Sequence, residues 1–356
     1  MRREWRGAVE LDVTTSEGTI RALAYPELTG RPGPGDRLLL NTSALALGLG
    51  TGGYALVVAL PDRLPADPAS PGHLVKARYT PLQATVQGAD EQGSPHHEVL
   101  RDADDLGGMP VVIADLHSAL PAVLAGLRDG RPAGALPAVA YVMLDGGALP
   151  AWFSRSGAGL REAGWLRGTV TVGQSFGGDL EAVTLHTGLL AARHVLGADV
   201  AVVAQGPGNL GTGTRWGFSG VACGEAVNAA AVLGGRPVAS LRVSEADPRE
   251  RHRGVSHHSL TSYGRVALAR ADVVVPGLPG AFGARVAAQA ATLAGRHTLV
   301  SVSTDGLAGA LRGCPVRLST MGRGLDEDLA YFLAAAAAGR HAAALLARPA
   351  ARPEQA

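Results

Sequence analysis

From residue 110 onward, short apolar segments alternate with longer segments of helix-forming residues. Most of the apolar segments are continuous runs, which is typical of parallel strands covered by helices on both faces. Each run ends in a polar or glycine-rich segment, so the pattern indicates repeated strand–loop–helix units. The eight predicted strands are residues 110–117, 138–145, 168–174, 198–205, 237–243, 272–275, 298–303 and 315–320.

This alternation predicts an α/β fold with a mostly parallel, doubly wound sheet. Eight such units can also close into a β/α barrel, which is the alternative. We favour the open sheet because several connecting segments look irregular and do not repeat one helix pattern. In both folds, the loops at the carboxyl ends of the strands share one face, and ligands bind there.

The first 88 residues have a different sequence pattern. Short β-rich segments separated by Gly and Pro predict a small all-β domain, either a barrel or a sandwich. A polar segment follows and is predicted to be a linker or a long surface loop. The predicted organisation is therefore a β domain at 1–88, a linker at 89–109 and an α/β domain at 110–356.

Composition narrows the class of partner. Hydrophobic residues make up 46% of the chain and charged residues 18%, which is enough for a large core. The net charge of +1 provides no global field for nucleic acid or an anionic membrane, so we expect a small anionic ligand. No signal peptide or spanning run is recognisable, and Cys223 and Cys314 fit no metal pattern. We therefore expect a cytoplasmic protein with two reduced thiols.

Polar residues collect where the predicted strands end. If the strands are parallel, these residues meet on one face of an otherwise apolar domain. This convergence is the strongest indication of a site in the sequence. The segments concerned contain Asp115 and His117, Asp145, Gly177 and Gly178, the glycine loop 205–214, and the polar stretch 244–259.

The first glycine-rich segment is a candidate for anion binding. Gly177 and Gly178 precede a predicted helix that runs from Asp179 to about Leu196. Backbone N–H groups at a helix start attract anions. Asp179 is also a good N-cap residue, and in that role it would occupy these donors itself.

The loop after the fourth strand supplies further candidate ligand-binding residues. It matches the pattern G-x-G-x-x-G, but Pro207 interrupts it and the next helix begins only near residue 220. A phosphate, a carboxylate or a sugar therefore fits better than a dinucleotide. A tight turn packed against a neighbour is the alternative. The candidates are Gly206, Gly208, Gly211, Thr212 and Thr214.

The stretch 244–259 is the most polar part of the main domain. Asp247 is predicted to cap a short helix. That helix would place Arg249, His252 and Arg253 on one face. Such a group favours an anionic partner, which is either a phosphate or carboxylate of a substrate or a carboxylate of the chain itself.

Several residues are candidates for proton transfer or metal binding. His257 beside Asp145 or Asp115 has the chemistry of a general acid or base. Asp115 and His117 either assist this proton transfer as catalytic groups or hold a divalent metal together with His257, since imidazole nitrogen and carboxylate oxygen are suitable ligands. His257 and His258 are adjacent, so we expect their rings to diverge and only one to enter a site. A hydrogen-bonded core histidine is the alternative in each case.

Lys76 is the only lysine of the chain, beside 31 arginines. An amine that persists in such a background is a candidate catalytic group, because arginine cannot replace a compact ammonium. The alternative is chance survival on a solvated strand. The sequence leaves open whether the N-terminal part brings this residue to the strand ends.

Five motifs together are distinctive: YPELTG at 25–30, LGLGTGGY at 47–54, GQSFGGD at 173–179, GPGNLGTGT at 206–214 and RHRGVSHH at 251–258. In combination they resemble a bacterial family known as a domain of unknown function, DUF3866, over nearly the whole chain. The resemblance implies a bacterial protein in which both parts form one family unit. It implies no particular reaction and no catalytic residues.

Three functions are consistent with these patterns. The first is a hydrolase or transferase acting on a small anionic or phosphorylated substrate, with a divalent metal as its only candidate cofactor. The second is a protein that binds or senses the same kind of ligand without reacting. The third is an assembly module, in which the glycine loops and arginines serve contacts between identical subunits.

Overall fold

The N-terminal part of the chain folds into a small sheet and a separate hairpin. The computed structural model describes residues 1–50, 52–67 and 70–347. The sheet has the order β1-β2-β3-β5-β4, in which only β3 and β5 pair in parallel, and β6 pairs with β7. The strands are β1 (Arg3–Trp5), β2 (Ala8–Thr15), β3 (Gly18–Ala24), β4 (Leu39–Asn41), β5 (Ala55–Ala59), β6 (Leu74–Lys76) and β7 (Ala84–Val86).

The β-rich segments predicted from the sequence at 7–14, 19–25, 37–41, 54–60 and 74–79 correspond to β2 through β6, whereas β1 and β7 were not predicted. The result is a five-stranded sheet with a hairpin beside it, in place of the predicted barrel or sandwich. Short helices lie along this part at α1 (Pro26–Thr29), α2 (Ser43–Ala46) and α3 (His97–Leu100). Residues 89–109 pack on the main domain, since Leu100, Leu106 and Met109 are buried in its core.

The main domain contains an eight-stranded sheet in which every neighbouring pair is parallel. The strands are β8 (Pro110–Ile113), β9 (Val139–Leu144), β10 (Gly168–Thr171), β11 (Leu180–Glu181), β12 (Val200–Gln205), β13 (Arg236–Ser240), and, further along the chain, β16 (Asp272–Gly277) and β17 (Thr298–Ser303). Two small hairpins complete the strands: β14 (Val243–Ser244) with β15 (Gly254–Val255), and β18 (Ser319–Thr320) with β19 (Arg323–Gly324). The sheet order is β11-β10-β9-β12-β8-β13-β16-β17. The sheet is open, with β11 and β17 at its edges, so the doubly wound prediction is confirmed and the barrel alternative is not.

Helices cover both faces of this sheet because alternate strand residues point to opposite sides and nearly all of them are apolar. Val112 faces one core, whereas Val111 and Ile113 face the other. One face is covered by α4 (Leu120–Arg128), α5 (Arg155–Glu162) and two later helices, α10 (Leu307–Arg312) and α11 (Leu329–Leu346). The other face is covered by α6 (Leu185–His194), α7 (Ala222–Val232), α8 (His257–Thr261) and α9 (Gly280–Ala291), and a π-helical turn at Ser262–Val266 follows α8.

Among the described residues, α11 is one helix that is long and apolar enough to cross a membrane by length and composition. In this fold it is a core helix, because 67% of that stretch is buried. It crosses α4 at close range. A Cβ atom on Gly126 would meet the backbone oxygen of Ala336, and one on Gly339 would meet that of Val123.

Three local predictions were wrong. The helix expected from Asp179 begins only at Leu185, because β11 intervenes, and its N-cap is Thr184. The last predicted strand contributes only Ser319–Thr320, which lie in a hairpin outside the main sheet. The helix expected after Asp247 is a 3₁₀ turn at Glu250–His252.

The strand order places a crevice at the centre of the sheet. From β8 the chain moves to β9, skipping the position that β12 later fills, and from β12 it crosses β8 to reach β13. Adjacent strands whose connections run to opposite sides leave an opening at their carboxyl ends, where ligands bind in open α/β sheets. The ends of the central strands β9, β12, β8 and β13 therefore mark the expected site.

Candidate functional site

Three of the central strands deliver Asp115, Gln205 and Arg242 to this crevice. The amide of Gln205 donates to the backbone oxygen of Asp115 over 2.7 Å. Arg242 is only 4% exposed. Its guanidinium lies 3.7 Å from Oδ2 of Asp115 and 3.8 Å from Oδ2 of Asp247. A buried cation therefore lies between two carboxylates at the point where the chain changes direction.

The polar segment that follows β13 folds back over these strand ends. The backbone N–H of Ser256 donates to the Arg242 oxygen over 2.8 Å, and the N–H of Arg242 donates to the Ser259 hydroxyl over 2.9 Å. Ser256 then caps α8 by accepting from the N–H of His258. These bonds fix the start of α8, and thus two consecutive histidines, against the crevice.

Three histidines converge at this point. The ring centroids of His257 and His258 are 4.4 Å apart, and His252 lies 5.0 and 4.9 Å from them. One ring nitrogen from each residue lies within 4.8 Å of the others. Phe218 stacks on His258 at 3.8 Å, with the two rings almost parallel. The rings of the adjacent histidines therefore do not diverge as expected.

Burial keeps two of these rings neutral. Burial, together with neighbouring positive charges such as Arg242, lowers the pKa of His252 to about 3 and that of His257 to about 4. A neutral imidazole carries a lone pair on one nitrogen, which is the form that binds metal ions. At neutral pH both rings are therefore in the neutral form that a metal ion requires.

Asp115 is the carboxylate of the cluster. Burial acts to raise its pKa, but His258 and Arg242 beside it bring the pKa below its ordinary value, so the group is ionised. Its Oδ2 lies 3.6 Å from Nδ1 of His258, beyond a short hydrogen bond. Within the described residues, Oδ2 of Asp115 and Nε2 of His257 are buried and have no hydrogen-bond partner. Such atoms are uncommon in folded proteins, and they are the ones that a cation and its water would satisfy.

His117, predicted to share a metal with Asp115 and His257, belongs to a different cluster. Its Nδ1 lies 3.0 Å from the Tyr141 hydroxyl, and its Nε2 lies 2.7 Å from the Ser154 hydroxyl. Burial lowers its pKa to about 4. Both ring nitrogens have side-chain partners, so no lone pair is available for a shared metal.

The other two predicted catalytic residues lie beside the third strand. Asp145 is exposed and accepts from the N–H of Gln174 over 2.9 Å. Lys76 is 2% exposed and donates to the backbone oxygens of Ser175 and Ala182 over 2.9 Å each. Its Nζ lies 3.5 Å from Glu181. The N-terminal part thus brings Lys76 to a strand-end loop, where it has structural partners.

Gly177 and Gly178 donate their N–H groups internally, to Glu181 over 2.7 Å and to Thr171 over 3.1 Å. Both also line a cavity of about 460 Å³ between the N-terminal sheet and the main domain. Its walls include Trp152, which contacts Gly177. These glycines therefore lie at a cavity, but at a different one from the histidine cluster.

The second glycine loop lies next to the histidine segment. Gly206 packs against the backbone of Ala148, whereas Gly208, Gly211, Thr212 and Thr214 are in the partly or fully exposed part of the loop. The hydroxyls of Thr212 and Thr214 lie 3.2 Å apart and both bond to Gly217, so they stabilise the loop itself. A Cβ atom on Gly213 would lie 3.7 Å from the guanidinium of Arg251.

The predicted arginine face is divided in the structure. Arg249 donates from both its side chain and its backbone to Asp247, with side-chain distances of 2.9 Å. This pair lowers the pKa of Asp247 against the effect of burial. Arg253 is exposed, while His252 points inward to the Ser256 hydroxyl at 2.8 Å. Two partners were considered for Arg249, a substrate anion and a carboxylate of the chain itself. The structure shows the second, which is Asp247.

Sequence reasoning missed Arg242 and did not place His252 and His258 in the cluster. The sequence does contain a signal for Arg242, since a charged residue close behind an apolar strand marks the end of that strand. The convergence of three rings had none, because it depends on the β14–β15 hairpin, which turns residues 244–256 back over the sheet.

The fold and the site define the protein as a doubly wound α/β protein with a histidine-rich centre at the carboxyl ends of its central strands. The model of the family described as a protein of unknown function, DUF3866, matches residues 21–339, so the chain belongs to this family. No curated protein matches the chain.

Proposed function

We propose that the protein is a metal-dependent hydrolase that acts on a small anionic substrate, with His252, His257 and His258 as metal ligands. The observation that carries this proposal is the convergence of three imidazole nitrogens within 4.8 Å. The cluster lies where open α/β sheets bind their ligands. Three histidine ligands and an open fourth position are typical of catalytic zinc sites.

The spacing of the three nitrogens fits a zinc-sized cation after small side-chain rotations. With Zn–N bonds of about 2.0–2.1 Å in a tetrahedral site, ligand nitrogens lie roughly 3.4 Å apart. His252 is oriented from its Nδ1 by the Ser256 hydroxyl, as metal-binding histidines commonly are by a second hydrogen bond. Ser256 in turn is fixed by the backbone of Arg242.

A divalent cation at this position supplies activation of a water molecule and polarisation of the substrate. Asp115 is the proton acceptor of the proposal, because its ionised Oδ2 lies beside the cluster and has no hydrogen-bond partner among the described residues. The water oxygen bonds to the electrophilic centre and the bond to the leaving group breaks. Asp115 takes the proton from the water and returns it to the leaving group. Arg242 holds Asp115 in its ionised form.

The charge around the cluster supports an anionic substrate. The pKa of His257 is lowered by burial first, and then by His258 and by the positive charges of Arg251, Arg242 and Arg249. The same field that disfavours a proton on this ring attracts a negatively charged ligand.

The direct test is a hydrolysis assay of the zinc-loaded protein with a panel of phosphate esters and small carboxylic esters. We expect Asp115→Asn to reduce kcat by about 100-fold or more while zinc remains bound, because general-base contributions are of order 10²–10⁴. Glu17→Gln, which changes an exposed carboxylate in the turn between β2 and β3 of the N-terminal sheet, is the control. Full activity in Asp115→Asn would exclude this carboxylate as the base.

A second candidate function, ligand sensing, is supported by the cavity of about 460 Å³ between the two sheets. It is large enough for a small metabolite and is lined by Trp152, Phe176 and Gly177. This function predicts that a ligand raises the melting temperature of the protein, that Trp152→Phe reduces the shift, and that His257→Ala leaves it unchanged.

A further inference from the structure

A second feature of the molecule lies next to the histidine cluster. A groove of about 780 Å³ runs between the second glycine loop, the π-helical turn and the end of α9. This volume suits a ligand of metabolite size. Its lining includes Arg215, Trp216, His257, Thr261, Arg265 and Arg296.

The groove is strongly cationic. Three arginines line it, and no Asp or Glu is among its described lining residues. Arg215 and Arg265 form no salt bridge with any residue in the described ranges, and Arg296 donates one N–H to the backbone oxygen of Ala267 over 3.0 Å. Three arginines that line one groove without a carboxylate among its described lining residues favour an anionic ligand.

The number of guanidinium donors in the groove indicates which kind of anion it fits. One guanidinium can satisfy a carboxylate through two parallel hydrogen bonds, so three of them exceed what a carboxylate needs. A phosphate group offers three terminal oxygens and up to two negative charges, so it can use all three guanidinium groups. Phosphate is therefore the chemical group that this lining fits best.

Trp216 adds an apolar face to the same groove. It is 54% exposed, although an indole ring usually finds cover in a folded protein. It projects from the loop that contains Gly211 and Gly213, next to Arg215. An exposed tryptophan beside a phosphate-binding group is suited to stack on the aromatic ring of the same ligand.

The groove continues into the histidine cluster, because His257 lines one and belongs to the other. The π-helical turn at Ser262–Val266 carries Arg265 and directly follows α8, which carries His257. Insertions of this kind are frequent at functional sites. A ligand in the groove would thus present one end to the proposed metal.

We infer that this groove binds a phosphorylated aromatic compound of mononucleotide size, with its phosphate on Arg215, Arg265 and Arg296 and its ring on Trp216. The inference rests on the proposed function, since it names the substrate class of that site. It concerns binding, and it can be measured without the metal.

The test is calorimetric titration of chelator-treated protein, at low ionic strength, with adenosine monophosphate, adenosine, ribose 5-phosphate and inorganic phosphate. We expect adenosine monophosphate to bind at least tenfold more tightly than each of the other three. Arg265→Gln and Trp216→Ala should each weaken its binding by roughly tenfold. Arg317→Gln, an exposed arginine outside the groove, is the matched control and should leave binding unchanged.

Equal affinity for inorganic phosphate and adenosine monophosphate, or unchanged binding in Trp216→Ala, would overturn the aromatic half of the inference. Unchanged binding in Arg265→Gln would overturn the phosphate half. A zinc titration of the same samples distinguishes a failure of this inference from a failure of the proposed function. Protein that binds zinc but none of the four compounds, with or without the metal, contradicts this inference and leaves the proposed function standing.

Discussion

Lys76 is the only lysine of the chain, and its ammonium group is enclosed by the backbone oxygens of Ser175 and Ala182 and by Glu181. Burial lowers the pKa of Lys76 and raises that of Glu181, although the attraction between them opposes both changes. A compact ammonium with three donors can serve all three acceptors, which a planar guanidinium cannot reach in the same geometry. The residue therefore joins the β6–β7 hairpin to the main domain.

Removal of this ammonium should destabilise the fold. Lys76→Met leaves Glu181 as a buried carboxylate without its partner, and we expect a loss of about 3 kcal/mol in the free energy of unfolding. The double variant with Glu181→Gln should recover part of that loss, because no charge is then left uncompensated. Urea denaturation measures both. A Lys76→Met protein as stable as the wild type would show that the pair has no structural role.

His117 predicts a pH dependence of stability. Its folded pKa is about 4, below the ordinary value near 6.5, so the unfolded chain binds a proton that the folded chain does not. The free energy of unfolding is unaffected above about pH 6.5 and decreases as the pH falls from there toward 4, by up to about 3 kcal/mol from this group. His252 and His257 act in the same direction.

The contribution of His117 is measured by difference. Denaturation of wild type and His117→Asn between pH 7.5 and 4.5 should give curves that converge as the pH falls, since the variant lacks one titrating group. Parallel curves across the range would contradict the assignment of a neutral, hydrogen-bonded His117.

At the scale of elements, the crossing of α4 and α11 determines how closely the long apolar helix approaches the sheet. Gly126 and Gly339 lie at the contact, and each faces a backbone oxygen of the other helix. A backbone atom cannot move aside as a flexible side chain can. The crossing therefore tolerates no side chain at either position.

Gly126→Ala should lower the free energy of unfolding by about 2–3 kcal/mol, as other overpacked cores do. Gly309→Ala is the control, because Gly309 lies in α10 and its added methyl would meet nothing within 4 Å. There alanine should be neutral or stabilising by up to about 1 kcal/mol. Equal effects of the two substitutions in chemical denaturation would rule out the close crossing.

The elements differ in how far sequence can predict them. Strands such as β9 and β12 are long, continuous apolar runs, and these were predicted almost to the residue. β11 is only two residues long, so no periodicity reveals it, and the start of α6 was therefore misplaced. The strand predicted at 315–320 contributes only Ser319–Thr320, which pair with Arg323–Gly324 in a hairpin outside the main sheet.

At the scale of the whole molecule, the parallel order of the strands brings together residues that are distant in sequence. Asp115 and His257 were predicted as ligands of one metal, and the structure places Asp115 beside the cluster to which His257 belongs. His117 was predicted with them but is directed to Tyr141 and Ser154. Sequence spacing indicates which face a residue reaches, whereas the direction of each ring depends on packing.

The strand order also explains why the proposed metal site lies at the centre of the main sheet. Neighbouring strands lead to opposite sides at the centre of the sheet, among β9, β12, β8 and β13, and the hairpin of β14 and β15 follows β13 at that opening. The N-terminal sheet docks elsewhere, through Trp152, whose backbone oxygen accepts from the indole of Trp5 over 2.6 Å. The histidine cluster should therefore keep its metal affinity when contacts of the N-terminal sheet are altered.

The most direct test of the metal centre is the stoichiometry of zinc binding to chelator-treated protein, measured by calorimetry and by metal analysis of the dialysed sample. We expect one zinc per chain, bound in His186→Ala, which changes an exposed histidine, and lost in His257→Ala and His252→Ala. Zinc at 100 times its Kd should add about 2.7 kcal/mol to the stability of the wild type. Binding that is absent, or equal in all four proteins, would contradict a metal centre at this site.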